Sequence, residues 1–145
     1  MLDPVLSLAI AMQSDPGVYA LLVGSGLSRS AGIPTGWEVV LDLIRKLAVL
    51  MKEDPEGPPD EWYRNRFKEE PDYARLLDQL ATTPAERQQL LRNYFEPNDA
   101  ERDEGLKTPT VAHHAIADLV KRGYIKVIVT TNFDRLIEKL STQQA

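Results

Sequence analysis

The chain has 145 residues, 43% of them apolar, with 17 basic against 22 acidic side chains and a formal net charge of −5. That is enough chain for one domain with a sizeable core, and an acidic balance without a basic stripe argues against nucleic acid as the main partner, because phosphate-backbone binding needs clustered Lys and Arg. With no cysteine, a disulfide, a thiolate zinc site and a cysteine nucleophile are excluded within these residues, and a reducing cytoplasm suits the composition.

The N-terminus lacks a basic region, and its apolar stretch 5–11 is broken by Ser7 and preceded by Asp3-Pro4. It makes a poor signal peptide, and no run approaches the roughly 20 apolar residues of a membrane span. A cytoplasmic protein without a membrane partner is the expectation. Asp3-Pro4 is a good cap and first-turn pair, and Val5, Leu8, Ala9 and Met12 follow at helical spacing, predicting an opening helix of about two turns. Ser14-Asp15-Pro16-Gly17 breaks it, and residues 18–23 read as a strand whose continuous apolar run suits burial on both faces.

Gly24-Ser25-Gly26, Ser28 and Gly32-Ile33-Pro34 follow that strand directly. Glycines at this place let the backbone turn sharply and approach a ligand closely, and a helix beginning at Thr35 would aim its unpaired N–H groups and positive dipole end at the same spot. Strand, glycine turn and helix together make a phosphate site. Two standard forms are ruled out: the dinucleotide fingerprint would put a third glycine where Arg29 stands, and no Gly-Lys-Ser or Gly-Lys-Thr follows for a P-loop. A bare tight turn is the simpler alternative for Gly24 and Gly26.

Thr35 and Glu38 form a capping box, and the helix they start carries Val39, Val40, Leu43, Ile44, Leu47 and Leu50 on one face, ending near Glu53. The loop 54–59 is rich in proline. Residues 60–70 and 72–81 read as two shorter helices around Pro71, and Thr83-Pro84-Ala85-Glu86 caps a helix to about Phe95. Residues 54–95 thus read as a helical insertion, with Trp62, Tyr63 and Phe67 as packing side chains. The stretch 96–107, polar and without periodicity, reads as an exposed mobile loop. A helix from Thr108 has Ala112, Ala115, Ile116 and Leu119 as its apolar face and ends at Gly123. His113 and His114, adjacent on it, point about 100° apart and so cannot share one site as a pair; both are assigned structural or surface roles. Residues 125–130 form a β-branched second strand, followed by Thr131-Asn132-Phe133-Asp134 and a helix from Arg135.

Strands joined by helices imply an α/β fold with a Rossmann-like parallel sheet and ligands at the carboxyl ends of the strands, where both loops fall. Two strands make no stable sheet of this kind, so the sheet is expected to be incomplete in this chain and finished by a further segment or by self-association.

Gly24-Ser25-Gly26-Leu27-Ser28, Gly32-Ile33-Pro34 and Thr130-Thr131-Asn132-Phe133-Asp134 closely resemble the motifs of the sirtuin (silent information regulator) family, over residues 18–44 and 108–140. Ser25 is the one departure within the first motif. The family's Asp-Phe-Arg after Gly-Ile-Pro is replaced by Thr35-Gly36-Trp37-Glu38, and its four-cysteine zinc module is missing. With the Thr-x-Trp pattern and Thr-Thr-Asn-Phe-Asp, the chain is most similar to the bacterial sirtuin-like domains that hydrolyse NAD in anti-phage defence. The resemblance implies a single sirtuin-like NAD-binding domain over 1–145, the N-terminal portion of such an enzyme, with NAD as substrate or ligand and no metal. Gly24, Ser25, Gly26, Ser28, Gly32, Ile33, Pro34, Trp37, Asn132, Phe133 and Asp134 would contact NAD. Asn132 would hold the ribose and orient the attacking water, Asp134 would face the nicotinamide carboxamide, and Ile33, Pro34 and Phe133 would supply apolar walls. The family's catalytic histidine is expected on the strand after Thr-x-Asn-x-Asp, so the resemblance implies that these residues hold the phosphate half and part of the nicotinamide half of the site and lack the general base. A non-catalytic NAD or ADP-ribose sensor and an NAD-dependent protein deacylase are the alternatives; capping of the last helix is the simpler role for Asp134.

Overall fold

The computed structural model describes residues 3–142. Eight α-helices, a 3-10 helix and two strands occur among them, in the order α1 (Pro4–Ser14), β1 (Tyr19–Val23), the 3-10 helix (Ser25–Ala31), α2 (Gly36–Leu50), α3 (Pro59–Phe67), α4 (Tyr73–Leu80), α5 (Pro84–Phe95), α6 (Asp99–Asp103), α7 (Val111–Lys121), β2 (Ile125–Thr130) and α8 (Leu136–Thr142). None of the described helices is long and apolar enough to cross a membrane. The chain divides into two compact units, one from Met1–Ile33 and Asp99–Ala145, the other from Pro34–Asn98.

In the first unit β1 and β2 pair in parallel, with Ala20 opposite Val127, Leu22 opposite Val129 and Val23 opposite Thr130. Gly17, at φ +80°, turns the chain into β1 and donates its N–H to Tyr124 O at 3.0 Å. Contrary to the expectation of a strand buried on both faces, only Val23 of β1 is buried. Side chains alternate along a strand, so Leu22 and its partner Val129 lie on one face, and they are 74% and 52% exposed. Helix α1 is capped as expected, Asp3 Oδ1 accepting from the N–H groups of Val5 and Leu6 at 2.8 and 3.2 Å, yet it buries no side chain.

The second unit is helical and starts at Pro34 rather than in the 54–59 loop, because α2 packs on α3 and α4. Its core holds Val39, Val40, Leu43, Ile44 and Leu47 of α2 with Tyr63, Leu76 and Leu77. Leu50, assigned to the same face, is exposed. The Thr35–Glu38 box is present, Glu38 Oε2 accepting from Thr35 N–H at 2.7 Å, and Glu86 accepts likewise from Thr83 N–H at 3.0 Å. Tyr63 is fully buried beside Phe67, with ring centroids 4.7 Å apart, so these aromatics are packing residues. Asp42 of α2 receives hydrogen bonds from Lys46 and from Tyr94 of α5. Leu43 has no exposed surface, and Leu43→Ala should lower the stability of this unit by about 2–5 kcal/mol through lost burial and a residual cavity, read by chemical denaturation.

The stretch 96–107 is not a structureless loop. It contains α6, and Lys107 at its end is buried, its Nζ 2.8 Å from Glu101 Oε1 and its backbone N–H donating to Ala31 O at 2.6 Å. A buried ammonium needs such a partner, which ties the segment down.

Candidate functional site

Parallel pairing brings the carboxyl ends of β1 and β2 side by side, and Thr131 N–H extends the pairing to Val23 O at 3.2 Å. The two loops carrying the motif residues therefore leave the sheet together. After β1 the chain enters the 3-10 helix Ser25–Ala31, capped by Gly24, where a glycine turn running to Thr35 was expected. Its first backbone bond is Leu27 N–H to Gly24 O at 3.0 Å, so the N–H groups of Ser25 and Gly26 precede the helical ladder. Gly32 ends the helix at φ +77°, a left-handed conformation that favours glycine.

Gly24 and Gly26 have no such internal need. Neither takes a positive φ, a Cβ on Gly24 would come no nearer than 3.7 Å to Thr131 Oγ1, and one on Gly26 would meet no atom within 4 Å. The fold alone does not require glycine at either position, and the space before Gly26 is open.

Ser28, fully buried, meets Asn132 across the loops: Asn132 Nδ2 donates to Ser28 Oγ at 3.3 Å, although the residues are 104 apart in sequence. The Asn132 backbone N–H donates to Thr130 Oγ1 at 3.0 Å, which shapes the bend after β2. Asn132 Oδ1 is buried without a hydrogen-bond partner among the described residues. Such an acceptor is costly to leave unpaired.

His113, set aside on its sequence, belongs to this cluster. It is 1% exposed, and its Nε2 lies 3.4 Å from Ser28 Oγ. Its Nδ1 accepts the Thr110 backbone N–H at 3.1 Å, so His113 takes the place in the α7 cap that glutamate takes after Thr35 and Thr83. That Thr-x-x-His spacing was the available signal. His114 is exposed, as its diverging direction implies. The expected apolar face of α7 is corrected: Ala112 and Ala115 are exposed, and His113 is the helix's buried residue.

Burial pulls His113 below the ordinary imidazole value, opposed by the Asp134 carboxylate and assisted by His114. The unfolded chain thus binds this proton more readily. The stabilisation is complete above the ordinary value of about 6.5 and is lost as pH falls below it. Melting temperature should fall on acidification below about pH 6.5, and His113→Gln should flatten that part of the profile.

The other motif residues divide. Asp134 is buried and its Oδ1 accepts Leu136 N–H at 3.1 Å, the capping role. Ile33 is buried and Phe133 is 68% exposed. Ser25 is half-buried. Pro34 and Trp37 belong to the other unit, Trp37 being exposed. No group of three or more acidic or histidine side chains placed to hold a metal occurs among the described residues. The loops can offer a ligand backbone N–H groups and the half-buried Asn132, which fully buried Ser28 holds from behind. No protein-family model matches the chain, and no curated protein matches it.

Proposed function

We propose that this chain carries the NAD-binding part of a sirtuin-like NAD hydrolase, built on a Rossmann-like sheet that includes β1 and β2. The observation that carries the reading is the meeting of Ser28 and Asn132 at adjacent strand ends, with Asn132 Oδ1 unpartnered. The unforced glycines Gly24 and Gly26 support it, since they leave room for a pyrophosphate against the backbone. Cleavage of the nicotinamide–ribose bond passes through an oxocarbenium-like state. An amide oxygen can orient water and a ribose hydroxyl there, while an asparagine cannot serve as a strong base. The proton acceptor is proposed to come from outside the two loops.

A second reading, a sensor that holds NAD or ADP-ribose without cleaving it, is favoured by one observation: His113 Nδ1 and Asp134 Oδ1 are both engaged in helix capping. Incubation with NAD, with and without an acetyl-lysine peptide, separates the readings. In the full-length protein nicotinamide release without peptide is expected; binding without release supports the sensor, and release only with peptide supports a deacylase. No binding at all refutes the nucleotide site. The exposed Leu22 and Val129 support the further proposal that a second copy or segment covers the sheet.

A further inference from the structure

His113 Nδ1 accepts the backbone N–H of Thr110 at 3.1 Å and lies 2.8 Å from Thr110 Oγ1. A backbone N–H can only donate, so Nδ1 keeps its lone pair and the neutral ring carries its proton on Nε2. Nε2–H faces Ser28 Oγ at 3.4 Å and can only donate to it. Ser28 Oγ also accepts from Asn132 Nδ2 at 3.3 Å. With both lone pairs occupied, the Ser28 hydroxyl proton is left to point away from His113 and from the Asn132 amide nitrogen.

We infer that His113 is a positioning residue that, held as the Nε2–H tautomer by the α7 cap, donates to Ser28 Oγ and so leaves that oxygen to accept from Asn132 Nδ2 and hold the Asn132 amide. The same arrangement removes His113 as a general base toward Ser28, because the only nitrogen able to accept a proton is engaged by Thr110. Ser28 is accordingly no activated nucleophile. The titratable groups that act on the ring are Asp134 and His114; of these, Asp134 is tied to the α8 cap and His114 is exposed. The role of the cluster toward a ligand rests on the proposed NAD site, whereas the tautomer and the Ser28 contact do not.

The test has two arms. Long-range proton–nitrogen spectra of the ring at pH 7.5 should show Nδ1 unprotonated and Nε2 protonated; a proton on Nδ1, or on both nitrogens, overturns the inference whatever the protein binds. In the second arm, NAD affinity is measured by calorimetry for wild type, His113→Asn and His113→Gln. Glutamine can place an N–H donor near the position of Nε2, and asparagine can replace only the Nδ1 acceptor. His113→Asn should weaken NAD binding about tenfold, the scale of one well-placed hydrogen bond, with His113→Gln restoring most of the loss. Equal weakening by both, or by neither, overturns the positioning role. If wild type does not bind NAD, the nucleotide reading fails and the ring spectra alone decide the inference.

Discussion

In the full-length protein Asn132→Ala is expected to reduce nicotinamide release from NAD by about 10²–10³-fold, the range found when one positioned polar group is removed from a transition-state site. The fold should survive it. Among the described residues the side chain makes a single 3.3 Å hydrogen bond, to Ser28, and its other polar atom has no partner to lose, so the stability cost should stay within about 0.5–1.5 kcal/mol. The two readouts together discriminate. Unchanged release would remove Asn132 from the chemistry, and a lost activity accompanied by loss of the folded state would say nothing about catalysis. The same substitution frees one acceptor position on Ser28, so Asn132→Asp is a useful companion: it keeps the shape and removes the amide donor.

The second large effect is expected at Gly26. Its backbone adopts no positive φ, and a Cβ there would meet no atom within 4 Å outside its own stretch of helix. Gly26→Val should therefore leave stability within about 1 kcal/mol of wild type, close to the balance of glycine entropy against β-branched propensity. Nucleotide affinity should fall about a hundredfold or more, because the new side chain occupies the space in which the pyrophosphate would approach the backbone. Gly32→Ala provides the contrast. Gly32 sits at φ +77° and its added Cβ would lie 3.2 Å from Leu106 Cδ2, so this change should cost about 1–2 kcal/mol of stability through left-handed strain. A Gly26→Val protein that binds NAD as wild type does would show that the open space at Gly26 is not the ligand's.

Where local chemistry decides the structure, it could be read from the residues. Thr35 with Glu38 and Thr83 with Glu86 supply both halves of a cap from four consecutive residues, and the helices start there. The β-branched run from Ile125 to Thr130 is the second strand as expected. The 3-10 helix Ser25–Ala31 was not legible. Its seven residues, Ser-Gly-Leu-Ser-Arg-Ser-Ala, give no period, and the element is ended by left-handed Gly32 and anchored by buried Ser28. Lys107 differs for another reason: a lysine in a polar stretch is ordinarily solvated, and here it is buried with its ammonium paired to Glu101. The α7 face differs because His113 turns inward to Ser28, while Ala112 and Ala115 are exposed.

At the site, the motif residues placed Ser28 and Asn132 at the two strand ends, and their contact follows from parallel pairing of β1 with β2. Neither motif marks the third member, and His113 and His114 stand side by side on α7. They do diverge, yet divergence bears only on joint action; His113 alone caps α7 and reaches Ser28.

The most direct measurement of the central claim is a titration of the isotope-labelled protein with NAD, followed in backbone amide spectra. Saturable shifts concentrated at Gly24, Ser25, Gly26, Ser28 and at Asn132 to Asp134 are the predicted result. Spectra unchanged at millimolar NAD, or shifts confined to residues away from both loops, would contradict it.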